Sequence, residues 1–122
     1  MKVVFELNAF FSDHRNGRSR ILERILLNHT TAMSHIPHIG MSVNIGRTDD
    51  EISVHTIDDV TWVEEDDSLL VSLENYETSI NENEDDNEWE YFDGIIEEFV
   101  EKDKWEVTHA FTGRENCKWI KK

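Results

Sequence analysis

Hydrophobic and polar residues alternate along several stretches of the chain, which is the pattern of half-buried β-strands. The first seven residues place Val3, Phe5 and Leu7 on one side. Alternation returns over residues 39–46, 52–57, 60–65, 69–77 and 105–111, with turn residues between them. Asp58 and Asp59 interrupt the alternation and indicate a bulge. Together these stretches predict an antiparallel meander of about four to six strands.

Two further stretches repeat with helical spacing. Residues 18–33 gather apolar side chains at i, i+1, i+4 and i+5, with arginines on the other side. Residues 85–102 carry a second apolar stripe, in which we expect Phe92, Ile96 and Phe99 to be buried. The resulting order, β-α-β-β-β-α-β, predicts a single α+β domain over residues 1–122, with two helices packed on the sheet.

The net charge of −15 is strongly uneven along the chain. Residues 49–106 contain 23 Asp or Glu against two Lys or Arg, a charge of −21, whereas residues 112–122 form a basic C-terminal tail. Such an acidic chain repels nucleic acid and anionic lipid. We therefore expect neither direct nucleic-acid binding nor a membrane partner, but a partner protein with a basic surface.

The acidic segment is as densely charged as a nucleic-acid strand. Ten carboxylates lie between Glu84 and Asp103. On a helix of about 30 Å they average about one per 3 Å, close to the phosphate spacing of about 3.4 Å. We expect the turn acids at 49–51 and 64–67 to join this surface beside the start of the second helix, with aromatic residues as anchors.

The predicted partner-binding residues combine these acids with one tyrosine. Four of the helix acids, Glu90, Asp93, Glu97 and Glu101, are expected on the outer face of the helix. The full set is Glu64, Glu65, Asp66, Asp67, Glu84, Asp85, Asp86, Glu90, Tyr91, Asp93, Glu97 and Glu101.

Catalytic and metal-binding motifs are weak in this sequence. Residues 81–92 resemble a calcium loop in spacing, but Asp86 and Phe92 stand where that loop requires Gly and Glu. His35 and His38 flank a proline without further ligands at zinc spacing, and Cys117 has no motif around it. The sequence thus predicts no enzyme, no cofactor and no metal site.

These observations predict a non-enzymatic acidic inhibitor that mimics nucleic acid. Its partner would be a nuclease, a restriction or CRISPR effector, a chromatin protein or a toxin, as for phage counter-defence and toxin-immunity proteins. The alternatives are a small carboxylate and histidine metal-binding domain or metal-dependent enzyme, and a subunit whose acidity serves solubility. A single cysteine and the absence of an apolar span favour the cytoplasm, or the host cytoplasm for a phage protein. A homodimer is left open.

Overall fold

The computed structural model describes residues 1–14, 19–46, 53–80, 88–114 and 117–119. Within them the chain forms seven strands and one helix, and the helix continues into a π-helical segment, Glu98–Lys102. The elements are β1 Lys2–Asp13, β2 Arg20–Ala32, β3 Ser42–Asn44, β4 Val54–Val63, β5 Ser68–Leu73, β6 Tyr76–Ile80, α1 Glu88–Glu97 and β7 Glu106–Thr112.

The strands form one mixed sheet in the order β3-β4-β5-β1-β2-β7, with β6 paired to β1 beyond the end of β5. β1 is antiparallel to β2 and parallel to both β5 and β6. Lys2 is opposite Ser68, whereas Ala9 is opposite Tyr76, so the register slips by one residue where β5 gives way to β6. The long central strand is therefore paired along both edges.

One face of the sheet is covered by α1 and the π-helical segment. Alternate residues of β1, beginning at Val3 and reaching Phe11, are fully or almost fully buried on this face. Phe92, Ile96 and Phe99 are completely buried against it, as the apolar stripe predicted, and the rings of Phe11 and Phe92 lie 5.0 Å apart. No second helix covers the opposite face within the described ranges, and we call that face the open face.

The predicted α+β fold with two helices is wrong. Residues predicted to form the first helix form β2 instead, which pairs with β1 through 12 residue pairs and with β7 along its other edge. Leu, Arg and Glu are good helix formers, and the apolar run suits either structure. In the strand, Ile25 and Leu27 face the helix, while Leu26 lies on the open face. Strand pairing on both sides overrides the local helix preference.

The predicted meander is also wrong, because β1 lies between β2, which follows it directly, and β5, which pairs with it in parallel and comes much later in the chain. The predicted bulge near Asp58 is confirmed by the register shift between Ile57 and Asp59. Another bulge, which lies in β7, was not predicted. Leu27 pairs with Val107 but Leu26 pairs with His109, so Val107 is buried and His109 is exposed, although simple alternation puts them on one side.

Candidate functional site

The connection between β4 and β5 presents four consecutive carboxylates, Glu64 to Asp67, and all four are exposed. We call them the acidic tip. The backbone N–H of Asp67 donates to the carbonyl oxygen of Glu64 at 3.2 Å, which closes the turn. Asp67 has a left-handed φ of 49°, a conformation that Asp tolerates better than most residues. Trp62, which precedes the tip on β4, is 53% exposed.

Further exposed acids lie on the side of the sheet that contains β4, β5 and β6. They occur where the strand pattern is interrupted or paired on one side only: at the β4 bulge, at the break between β5 and β6, and on β6. With the acidic tip they make up eight carboxylates, none of which forms an ion pair within the described part of the chain, and we call this set the acidic margin. Its members are Asp58, Asp59, Glu64, Glu65, Asp66, Asp67, Glu74 and Glu77.

The helix acids fall into two groups. Glu90 and Tyr91 on α1, and Glu101 in the π-helical segment, are exposed as predicted. Asp93 and Glu97 are half-buried, and each is paired with a basic side chain of the C-terminal segment, which was not predicted. Lys118 donates to Glu97, and Arg114 and Trp119 both donate to Asp93.

Arg114 ties β2, α1 and the C-terminal segment together. Its guanidinium donates to both oxygens of Asp93, at 2.6 and 3.0 Å, and to both oxygens of Glu23, each at 3.0 Å. The Glu23 side chain is 0% exposed. The Arg114 guanidinium also lies 4.9 Å from the ring centre of Trp89. The described part of the C-terminal region therefore packs against the helix rather than extending from it as a tail.

These contacts account for two altered pKa values. Burial disfavours the charged form of Asp93, but hydrogen bonds from Arg114 and Trp119 outweigh it and lower the pKa of Asp93. The hydrogen bond to Asp93, helped by the charge of Glu23, raises the pKa of Arg114. Arg114 and Lys118 are thus used internally and do not neutralise the acidic margin.

The acidic tip and the start of α1 lie at opposite ends of the sheet. The tip leads into Ser68, which is opposite Lys2, whereas Phe92 packs on Phe11. Phe11 lies nine residues along β1 from Lys2, which is about 30 Å. Among the residues described, the acidic tip is therefore not beside the start of α1, where it was expected. The predicted residues Glu84, Asp85 and Asp86, and the turn acids at 49–51, lie outside the described residues.

A polar cluster lies in the core where β4 meets the π-helical segment. The Ser53 hydroxyl donates to Asp103 Oδ2 at 2.8 Å, and both residues are buried. His55 is 7% exposed and packs edge-on against Trp105, with ring centres 5.7 Å apart. Burial lowers the pKa of His55, and the charge of Asp103 opposes this effect. Since the serine donates to a carboxylate and not to a histidine base, the cluster lacks the arrangement of an activated nucleophile.

Neighbouring histidines do not assemble into a ligand set. His29 Nδ1 lies 3.2 Å from the carbonyl oxygen of Lys104, and His35 and His38 are exposed in the loop before β3. Over the described ranges, no group of three His, Cys, Asp or Glu side chains is placed to hold a metal ion. Cys117 is buried.

Sequence reasoning missed the acids outside the turns and the role of Arg114. Asp58 and Glu74 both stand where apolar alternation breaks, and that signal marks exposed positions at strand irregularities. Glu23 alternates with Ile25 and Leu27 in β2, and this spacing indicates a buried carboxylate that needs a cationic partner. Its partner, Arg114, is 91 residues away, and nothing in the local sequence identifies it.

Fold and surface together define a mixed sheet with one helical layer and an acidic margin. Comparison of the chain with protein-family models, curated proteins and solved structures finds no match. None of the helical segments described is long and apolar enough to cross a bilayer.

Proposed function

We propose that this protein is a non-enzymatic interaction protein whose acidic margin binds a basic surface of a partner protein. Where that surface binds nucleic acid, the margin competes with the nucleic acid and inhibits the partner. Nucleases, restriction or CRISPR effectors, chromatin proteins and toxins carry surfaces of this kind. The observation that carries the proposal is the set of eight exposed carboxylates on one side of the sheet without ion pairs in the described part of the chain.

The spacing of the acidic tip supports mimicry of a phosphate backbone. Its four carboxylates come from consecutive residues, whose Cα atoms are about 3.8 Å apart. Phosphates along one nucleic-acid strand follow each other at about 3.4 Å. Measured along the chain and along the duplex axis, the number of negative charges per length is therefore similar in the acidic tip and in one nucleic-acid strand.

The electrostatic state of the free protein favours such binding. Like charges that share a turn repel one another, and bound cations relieve that repulsion. Among the described basic side chains, Arg114 and Lys118 bind helix and core carboxylates, Lys102 binds Glu98, and none forms an ion pair with the acidic margin. Unpaired charge of one sign also steers an oppositely charged partner during encounter.

Trp62 adds an exposed apolar side chain next to the acidic tip. Its indole is 53% exposed and lies two residues before the acidic tip. Tryptophan is among the residues that contribute most to protein interfaces, usually when surrounded by polar contacts that exclude water. This arrangement fits a basic partner surface that has an apolar depression beside its cationic side chains.

Two matched double variants test the proposal. Glu64→Gln with Glu65→Gln removes two charges from the acidic tip, and Glu90→Gln with Glu101→Gln removes two exposed charges from the helical side. Each immobilised protein is challenged with the heparin-binding fraction of a bacterial lysate, and bound proteins are eluted with duplex DNA or with salt. Heparin selects proteins with phosphate-binding surfaces.

The wild-type protein is expected to retain proteins that duplex DNA and salt both release. The tip variant should retain several-fold less of them, and the helix variant should behave like wild type. Retention that DNA does not displace, or equal retention by the tip variant, contradicts the proposal. Loss with the helix variant alone moves the contact to the helix and refutes the assignment to the margin.

A further inference from the structure

A cleft of about 330 Å³ lies between the end of β2 and β3. Phe5 of β1 forms its floor, His29 and residues 31–33 form one wall, and residues 43–46 form the other. Ligand sites usually have volumes of about 300–1,000 Å³ and are lined mainly by apolar side chains with a few polar groups. The cleft meets this description, and its described lining includes no residue of the acidic margin.

Trp105 holds the two walls of the cleft apart. Its side chain is almost completely buried, and its ring centre lies 5.6 Å from that of His29 and 5.7 Å from that of His55. His29 belongs to the β2 wall, and His55 is opposite Val43 of the β3 wall. Because a buried indole fills the space between these two elements, the walls cannot move together, and the cleft is preformed.

His29 gives the cleft an oriented hydrogen-bond acceptor. Its Nδ1 lies 3.2 Å from the carbonyl oxygen of Lys104. A carbonyl oxygen only accepts, so Nδ1 carries the proton, and in the neutral ring Nε2 is an acceptor. The ring forms no other hydrogen bond within the described part of the chain. Contact with Trp105 and the bond to Lys104 fix the ring plane, and the Thr31 hydroxyl adds a second polar group to the same wall.

The lining of the cleft selects an uncharged ligand. None of the described lining residues is Asp, Glu, Lys or Arg, so neither an anion nor a cation finds an ion-pair partner among them. The net charge of −15 further disfavours anions. Met33 and Val43 contribute apolar surface that is only half-buried, so a ligand that covers them gains hydrophobic free energy. Methionine sulfur also makes favourable contacts with aromatic rings.

We infer that this cleft binds a small uncharged aromatic molecule that donates one N–H or O–H hydrogen bond to Nε2 of His29. A cavity of about 150 Å³ with apolar walls holds one benzene ring. The cleft, at about 330 Å³, therefore matches a compound of two fused rings. This inference does not rest on the proposed function, because the acidic margin takes no part in the site.

Indole and benzofuran are a matched pair of probes for this site. The two compounds have nearly the same size and shape, but only indole has an N–H to donate. Each is titrated into the wild-type protein, and the methyl signals of Met33 and Val43 report binding by NMR. We expect indole to bind with a Kd of about 1 mM or lower. Benzofuran should bind about fivefold more weakly, which corresponds to one hydrogen bond, and indole-3-carboxylate should also bind more weakly than indole because of its charge.

Three variants locate the binding. Val43→Phe extends a side chain of the β3 wall into the cleft and should weaken indole binding about tenfold or more, since it occupies the ligand's volume. Val54→Phe is the matched control, because Val54 is 50% exposed on the other side of the same hairpin and does not line the cleft. It should bind indole as the wild type does. His29→Phe keeps a ring and removes the acceptor, so indole and benzofuran should bind it equally.

Intermolecular NOEs between indole and the Met33 methyl group of the wild-type protein cover the case in which a variant fails to fold. Their presence supports the site. Methyl signals that do not move at about 5 mM indole overturn the inference, as does an equal loss of binding with Val54→Phe. Benzofuran that binds the wild type as tightly as indole refutes the hydrogen bond to His29. Tighter binding of indole-3-carboxylate than of indole refutes the selection of an uncharged ligand.

Discussion

Replacing Arg114 with Met removes the cation that neutralises a fully buried carboxylate. Glu23 is 0% exposed and receives two hydrogen bonds from Arg114, so the variant leaves an unpaired charge in the core. Removing one partner of a buried ion pair costs about 3–5 kcal/mol. Asp93 adds less to this cost, since its side chain is 24% exposed and regains water. Methionine keeps most of the apolar contact with Trp89, which confines the perturbation to charge.

This loss is a large share of the 5–15 kcal/mol that ordinarily stabilises a domain. With an m-value of about 1.5 kcal/mol/M, the urea midpoint should fall by about 2 M or more. Urea unfolding followed by tryptophan fluorescence measures the change. Lys118→Met is the matched control: it removes the same charge from an exposed pair with Glu97, where we expect less than about 1 kcal/mol.

A second variant separates charge from packing. Glu23→Leu combined with Arg114→Met replaces the buried pair by apolar side chains and should recover most of the lost stability. If Arg114→Met lies within 1 kcal/mol of wild type, or if the double variant is no more stable than the single one, the carboxylate of Glu23 does not depend on Arg114 as described.

Two other expectations concern backbone and protonation. Gly46→Ala should destabilise by more than about 1 kcal/mol, because φ is +120° there and a Cβ would collide with the Asp103 side chain. Gly94→Ala, which meets nothing within 4 Å on α1, should stabilise by about 1 kcal/mol in the same thermal melts, and equal signs for the two would refute this account. Burial lowers the pKa of His55 below its ordinary 6.5, so the unfolded state binds more protons and stability should fall as the pH drops below 6.5. Unfolding measured from pH 5 to 8 should show a smaller slope for His55→Leu, and an identical slope would rule out His55 as the source.

The local sequence pattern correctly predicted the features whose conformation depends mainly on residues nearby in the chain. Phe92, Ile96 and Phe99 identified the buried side of the helix because helical spacing is set within one turn or two. The β4 bulge was visible because two consecutive aspartates break an apolar alternation. In both cases the deciding interactions lie within a few residues along the chain.

The elements that were predicted wrongly depend on distant partners. β2 resembles a helix until β1 and β7 are placed on its two edges. Asp93 and Glu97 resemble free surface acids until the C-terminal segment brings Arg114 and Lys118 to them. The acidic residues were located in the second half of the chain, but the distance of the acidic tip from α1 follows from strand order, which a single sequence does not encode locally.

The central position of β1 also sets the order in which the chain can fold. Its pairing with β2 joins segments that are close in sequence, whereas its pairing with β5 joins Lys2 to Ser68. Closing the longer loop costs more chain entropy, and contacts of long sequence separation slow folding. During synthesis the first strand emerges long before its parallel partner, and a chain that ends before residue 68 leaves one edge of a 12-residue strand without its partner. The acids between residues 58 and 67 emerge from the ribosome just before β5. They bring negative charge near the unpaired edge of β1 while that edge can still pair with other chains.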